Sequence, residues 1–379
     1  MKKILVVYAT AGIGHKKAAV AVKKALDEVR PQDTEVSLID ALDYTNAFFK
    51  WTYLKVYLLA VNKLSLLWGF MYYLTDNYYV NLAVSKLRRL NNWANSKPLV
   101  THLLKNQPEV IVSTHFFASE VASDLKRAGL LRSKIITVIT DYRLHSWWVS
   151  DFVDIYVVSN EEARDDLMRW GIADSKIKVL GIPVEPVFSK ALDKEKIKST
   201  FELKSDIFTV LVIGGGFGVG PIEDIVKSAA AVPGPIQVIV ICGHNEDLIN
   251  RMKSLKERMG IDLKVLGFVD NVYDFMEVSD IVISKAGGIT VTECLAKGLP
   301  LIATSPIPGQ ETGNSDFVVK HGAAIRIKDV RDISAILEDL MADPGRMKAM
   351  RETVRRLGRP RACYDVAALA AGMAGGRDA

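Results

Sequence analysis

The stretch Ser284-Lys285-Ala286-Gly287-Gly288-Ile289-Thr290-Val291-Thr292-Glu293 runs from a β-branched segment through two glycines into a helical pattern. Glycines at such a junction let backbone approach a ligand, and the free N–H groups of a helix start suit a diphosphate. Glu293 has two acceptor oxygens, enough for both hydroxyls of a ribose; its competing role is to cap its own helix. Further on, Ile307-Pro308-Gly309-Gln310-Glu311-Thr312-Gly313-Asn314 puts Gln310 and Glu311 on the exit loop of the next strand, a cluster suited to sugar hydroxyls. A second glycine-rich junction, Gly214 to Gly220, lacks the Lys-Ser/Thr pair of a nucleotide-hydrolysing P-loop and the downstream acid of a nicotinamide site. It either cradles a diphosphate or lets two domains approach closely. A third, Thr10-Ala11-Gly12-Ile13-Gly14-His15, sets an imidazole at a helix start. There the pKa is depressed and the ring can act as a base; the alternative is a structural histidine. Lys17 stands where a dinucleotide fingerprint has its third glycine, which excludes that fingerprint.

The elements that must carry these groups alternate short β-branched runs with amphipathic stretches, the pattern of a parallel α/β protein. Strands are expected at 3–8, 35–39, 110–113, 135–140, 155–159 and 177–184, with helices at 16–29 and 161–170. A connector rich in Pro, Lys, Asp and Ser spans 185–206. A second series follows, with strands at 208–213, 237–242, 263–269, 281–284 and 301–304. Two doubly wound units result: a first domain over 1–184 and a second over 207–352, each binding ligands at the carboxyl ends of its strands. Residues 353–379 form a returning helix whose small-residue tail, from Ala367, is expected to fray.

Residues 44–93 do not fit this plan. From Tyr53 to Leu74 nearly every residue is Leu, Val, Tyr, Trp, Phe or Met. As one helix, this segment has a narrow polar stripe of Lys55, Asn62, Gly69 and Asp76, with apolar and aromatic side chains around the rest. Such a helix is core, spans a bilayer or lies in its interface. Asn62-Lys63 would sit mid-span at a cost of a few kcal/mol, and tyrosines favour the headgroup level. The interfacial reading is preferred, with Lys86, Arg88 and Arg89 attracting anionic lipid. Charge agrees: residues 1–150 carry 20 Lys and Arg against 11 Asp and Glu, the remainder 29 against 33. The aromatic cluster lacks interleaved basic residues at groove-reading spacing, so no nucleic-acid partner is expected. Three scattered cysteines exclude a disulfide framework and a structural zinc site. The first apolar run is too short for a signal peptide core.

These motifs together make the chain resemble the diacylglycerol glycosyltransferases of glycosyltransferase family 28. The resemblance rests on the Gly-x-Gly-His turn, on Thr140-Asp141-Tyr142 with His145 and Trp148, on Gly214 to Gly220, and most specifically on the Ser284 to Glu293 and Gly309 to Asn314 region. It implies two facing Rossmann-like domains of GT-B type, the first holding an acceptor lipid and the second a UDP-sugar. On the acceptor side it places His15 and Asp141 at the catalytic centre, with Gly14, Tyr142, His145 and Trp148 beside them. On the donor side it places uracil against Phe268 and Val269, diphosphate near Gly216, Ser284, Gly287, Gly288 and Thr290, ribose on Glu293, and hexose on Gln310 and Glu311 near Asn314. The reaction then expected is inverting transfer of a hexose from a UDP-sugar to diacylglycerol, at the cytoplasmic face of the cell membrane. No Asp-x-Asp pair is present to hold a metal, so no cofactor is expected and helix N-termini must stabilise the leaving diphosphate. Alternatives are an N-acetylglucosamine transferase to another lipid, a UDP-sugar epimerase and a non-catalytic UDP-sugar sensor. Glucose, galactose and N-acetylglucosamine differ by one hydroxyl or amide, and the sequence does not separate them.

Overall fold

The computed structural model describes residues 1–10, 12–29, 33–215, 220–304 and 308–376, without the side chains of 54, 57, 58 and 60–63. The chain divides into two compact units: Met1–Pro186 with Ile307–Gly313 and Arg359–Ala379, and Val187–Pro306 with Asn314–Gly358.

In chain order the first unit contains β1 (Lys2–Tyr8), α1 (Ile13–Val29), β2 (Thr34–Asp40), α2 (Ala47–Lys63), α3 (Ser65–Thr75), α4 (Tyr78–Asn95), α5 (Lys97–Asn106), β3 (Val110–Ser113), α6 (Phe116–Arg127), β4 (Lys134–Val138), β5 (Ile155–Val158), α7 (Glu161–Arg169) and β6 (Ile177–Val179). Its strands form one parallel sheet in the order β2-β1-β3-β4-β5-β6. The residues of β1 alternate between two cores. Leu5 and Val7 pack with Ile111, Phe117 and Ile135, whereas Ile4 and Val6 pack with Val22, Leu26 and Val112. A sheet buried on both faces needs such unbroken apolar runs, and each buried Ile, Leu or Val contributes about 1.5–3 kcal/mol.

The second unit contains α8 (Lys194–Thr200), β7 (Phe208–Ile213), α9 (Ile222–Ala230), β8 (Ile236–Ile241), α10 (Glu246–Met259), β9 (Leu263–Leu266), α11 (Val272–Glu277), β10 (Ile281–Lys285), α12 (Gly288–Lys297) and β11 (Leu301–Thr304), then α13 (Gln310–Lys320) from Asn314 onward, its first turn belonging to the first unit, and β12 (Ala324–Arg326), α14 (Asp332–Ala342) and α15 (Pro344–Leu357). The sheet order is β12-β11-β10-β7-β8-β9, again parallel. Strand order reverses between β1 and β3 in the first sheet and between β7 and β10 in the second. Ligands of doubly wound sheets sit outside the carboxyl ends of the strands at these points.

Four expectations need correction. The chain does not fray after Ala367: α16 (Ala362–Ala374) buries Cys363, Val366, Ala367, Ala370 and Ala374 against the first sheet, because small side chains let it approach α1 closely. The segment Tyr53–Leu74 is not one helix; Leu64 leaves helical geometry (φ −123°, ψ 37°) and separates α2 from α3. Its polar stripe is therefore broken. Gly69 is buried, and Asp76 accepts a hydrogen bond from Ser146 N at 2.7 Å. Arg88 and Arg89 do not face lipid, since both turn to Glu120, whose side chain is 1% exposed, and Asn92 Nδ2 completes its shell at 2.6 Å. Lastly, Gln310 and Glu311 open α13 rather than lie on a loop. Among the described residues no helix is long and apolar enough to cross a membrane.

Candidate active site

On the first unit, the turn after β1 is pinned by Asp40, which accepts hydrogen bonds from Thr10 N and Oγ1 and from Leu42 N. Gly12 adopts φ +145°, which a side chain would resist, and leads into the first turn of α1 with Gly14 and His15. His15 Nδ1 lies 2.8 Å from Thr114 O and 2.9 Å from Thr140 Oγ1. A carbonyl only accepts, so Nδ1 carries the proton and Nε2 keeps its lone pair. Thr114 Oγ1 in turn donates to His15 O at 2.9 Å. Burial pushes the His15 pKa down to about 4, against the opposing pull of the Thr114 carbonyl. At neutral pH the ring is an uncharged, oriented base.

Three strand ends thus converge: His15 follows β1, Thr114 follows β3 and Thr140 follows β4. Beside them His115 is 1% exposed, its ring edge-on to His15 with centroids 4.6 Å apart. Trp148 is buried with its ring 6.0 Å from His15. Asp141 and Tyr142 are buried as well; their backbone oxygens accept from Ser159 Oγ and Asn160 Nδ2. Asp141 also helps to raise the Tyr72 phenol pKa, after burial, the larger cause. His145 commits both ring nitrogens to the chain: Nε2 donates to Tyr72 O at 2.9 Å and Nδ1 accepts from Trp147 N at 3.2 Å. It positions α3 and has no nitrogen left for proton transfer. Thr114 and His115 were missed in the sequence, although the carboxyl end of a strand beside a reversal point was itself a signal.

Gln310 and Glu311 belong to the segment that packs with this first unit. A Cβ at Gly69 would meet Pro308 Cβ at 2.5 Å, so α3 lies directly on the turn that precedes them.

On the second unit, β10 ends at the reversal point and α12 begins at once. Gly287 caps α12 in extended geometry, with open space where a Cβ would stand, and Gly288 starts the helix. Thr290 is half-buried in its first turn, and Glu293 is buried one turn on. Ser284 Oγ donates to Ile213 O at 3.0 Å and so ties β10 to β7. Lys285 was not singled out from the sequence, yet its stem lies 3.7 Å from the Cβ position of Gly220 at the end of the β7 turn, which puts a cation just before the start of α12. Gly216 lies outside the described residues. Phe268 is exposed and stacks on His244, centroids 4.3 Å apart at 11°, with half-buried Val269 beside it. Asn314 is buried within α13.

Two doubly wound units, one ending in an oriented neutral base and the other in an open helix start, have the architecture of GT-B glycosyltransferases. Residues 15–184 match the family model of monogalactosyldiacylglycerol (MGDG) synthase, and residues 209–357 match that of the glycosyltransferase family 28 C-terminal domain. The chain belongs to this family. It is 29% identical, over 94% of its length and 91% of the relative's, to a protein of Bacillus pumilus named processive diacylglycerol beta-glucosyltransferase. Among solved structures it is similar to Acinetobacter baumannii MurG, with a TM-score of 0.65, 14% identity and coverage of 98% and 99% of the two chains. It is also similar to Anabaena HepE, solved with UDP-glucose, with a TM-score of 0.57, 14% identity and coverage of 99% of each chain.

Proposed function

We propose that this glycosyltransferase moves a hexose from a UDP-sugar to the free hydroxyl of diacylglycerol, inverting the anomeric centre. The observation that carries the reading is the fixed tautomer of His15, combined with relatives named for diacylglycerol glucosylation. His15 Nε2 takes the hydroxyl proton as the alcohol oxygen attacks the anomeric carbon. The bond from that carbon to the diphosphate oxygen breaks, and UDP leaves with the electron pair. The growing negative charge is met by the N–H groups opening α12 and by Lys285, without a metal. Phe268 and Val269 face the uracil, Glu293 the ribose, and Gln310 and Glu311 the hexose.

Diacylglycerol lies in a bilayer, so the protein must dock on one. Helices α2 to α4 expose Phe48, Trp51, Leu66, Phe70 and Tyr79, the last two 63% and 79% accessible, with Lys55 and Lys86 also exposed. Aromatic and apolar side chains rimmed by lysine suit the interface of an anionic leaflet, and we place the protein peripherally on the cytoplasmic face. Epimerisation and transfer to a different lipid draw support from fold likeness alone.

The test is incubation of purified protein with diacylglycerol vesicles and UDP-glucose, UDP-galactose or UDP-N-acetylglucosamine in turn, with lipids read by mass spectrometry. A glycosyl-diacylglycerol with one of the first two supports the reading. Absence of any glycolipid, or release of an epimerised sugar nucleotide, defeats it.

A further inference from the structure

Two imidazoles meet at the carboxyl end of the first sheet, and their hydrogen bonds fix complementary proton positions. His15 donates from Nδ1 to Thr114 O, leaving a lone pair on Nε2. His115 does the opposite: its Nδ1 accepts from Phe117 N at 3.1 Å and so caps α6. Burial, with His15 adjacent, keeps the His115 ring neutral. A neutral imidazole has one N–H, and the bond from Phe117 requires it to be on Nε2. Among the described residues that N–H has no hydrogen-bond partner. It is not one of the fully buried polar atoms left without a partner, so it opens onto the space at the strand ends, where a ligand can meet it.

One atom type satisfies both nitrogens. A hydroxyl gives its hydrogen to the lone pair of His15 Nε2, while its oxygen accepts from His115 Nε2–H. The two rings are in edge-to-face contact, centroids 4.6 Å apart at 79°. Phe116, Tyr53 and Trp148, with ring centroids 4.2, 6.4 and 6.4 Å from that of His115, supply apolar walls that strengthen such bonds.

We propose that His115 is a second catalytic residue on the acceptor side, donating from Nε2 to the oxygen of the alcohol that His15 deprotonates. The inference rests on the transfer proposed above. His115 keeps its proton throughout: the alcohol proton passes to His15 Nε2, and the oxygen lone pair that attacks the sugar is aimed by the bond from His115.

Two substitutions separate this role from helix capping. His115→Asn retains an acceptor for Phe117 N and is itself a good cap, but it has no donor at the Nε2 position. His115→Gln places an N–H there and loses the cap. The expected result is a 10- to 100-fold lower kcat/KM for diacylglycerol in His115→Asn, at unchanged Tm and unchanged UDP affinity. His115→Gln should recover at least tenfold of that loss while melting several degrees lower. If activity instead follows Tm, with the Asn variant near wild type and the Gln variant worse, His115 is only a cap. NMR of protein carrying 15N-histidine reads the site without turnover. The His115 Nε2 resonance should be protonated and should shift when dioctanoylglycerol is added. A proton on Nδ1, or no shift, overturns the proposal. Failure of the transfer reading looks different, because wild-type protein would then make no glycolipid with any donor.

Discussion

Gly309 lies against the ring of Tyr72: a Cβ on Gly309 would come 2.9 Å from Tyr72 Cγ, and the backbone there has φ +103°. Tyr72 sits on α3, whose outer face is the apolar surface proposed to meet the bilayer, and Gly309 precedes Gln310 and Glu311, proposed to hold the hexose. The two functions share one packing contact. Gly309→Ala should therefore both strain the backbone, by about 1–3 kcal/mol, and displace the sugar-binding turn, raising KM for the UDP-sugar severalfold. Gly322→Ala is the control, since Gly322 has φ +74° but open space at its Cβ position. It should lower Tm without touching KM. Equal KM effects in the two variants would break the link between α3 and the sugar turn.

The state of His15 predicts a pH profile. The proposed base must be unprotonated, and burial holds its pKa near 4. kcat/KM should stay level as pH falls from 7 to about 5 and then drop with unit slope near pH 4. Stability follows the same sign. His15 and His115 bind a proton less readily when folded than when unfolded, where the pKa is about 6.5. The stability this adds is fully present above pH 6.5 and is lost as pH falls toward 4. His15→Ala should lower turnover roughly 10²- to 10⁴-fold with UDP affinity kept. A half-maximal activity near pH 6.5 in the wild type would contradict the buried, carbonyl-tied ring.

Glu293 is buried one turn into α12. Its replacement by alanine should weaken UDP binding by about 1–3 kcal/mol through lost hydrogen bonds, read by calorimetry, with turnover at saturating donor close to wild type. Unchanged affinity would reduce Glu293 to a support for its own helix.

Leu66 and Phe70 project from α3, 83% and 63% exposed. Leu66→Glu combined with Phe70→Glu should abolish flotation with anionic liposomes while shifting Tm by less than about 2 °C, because surface side chains contribute little to stability. Continued flotation would move the membrane contact elsewhere.

The charge-stabilising groups proposed for the leaving diphosphate all belong to the chain. Turnover should accordingly survive excess EDTA and gain nothing from magnesium or manganese. Loss of activity on chelation, reversed by either ion, would show that α12 and Lys285 do not suffice.

Strands β3, β7 and β11 have the bounds expected from the sequence, because buried parallel strands write themselves as β-branched runs bounded by polar residues. Strand β12 was not seen: Ala-Ile-Arg is too short to show a period. The break at Leu64 was equally invisible, since leucine is a good helix former and only geometry reveals the stop. The fates of Arg88 and Arg89 depended on Glu120, some thirty residues away, which sequence spacing cannot pair. Of the group proposed for the acceptor side, His15 stood out because it closes a Gly-x-Gly turn. His115 follows an ordinary strand with no local mark, and its significance arises only where β1 and β3 lie side by side.

The stripe of small residues on α16 has a consequence for how the molecule is made. The first sheet lacks part of one core until Cys363 to Ala374 dock beside α1, so the opening half of the polypeptide emerges from the ribosome unable to close. The second unit lies earlier in the chain than that helix and can condense while its predecessor still waits. Biogenesis thus runs out of chain order, with an unsealed apolar surface exposed during the interval, and a nascent chain stalled before residue 362 should be the species that chaperones hold longest.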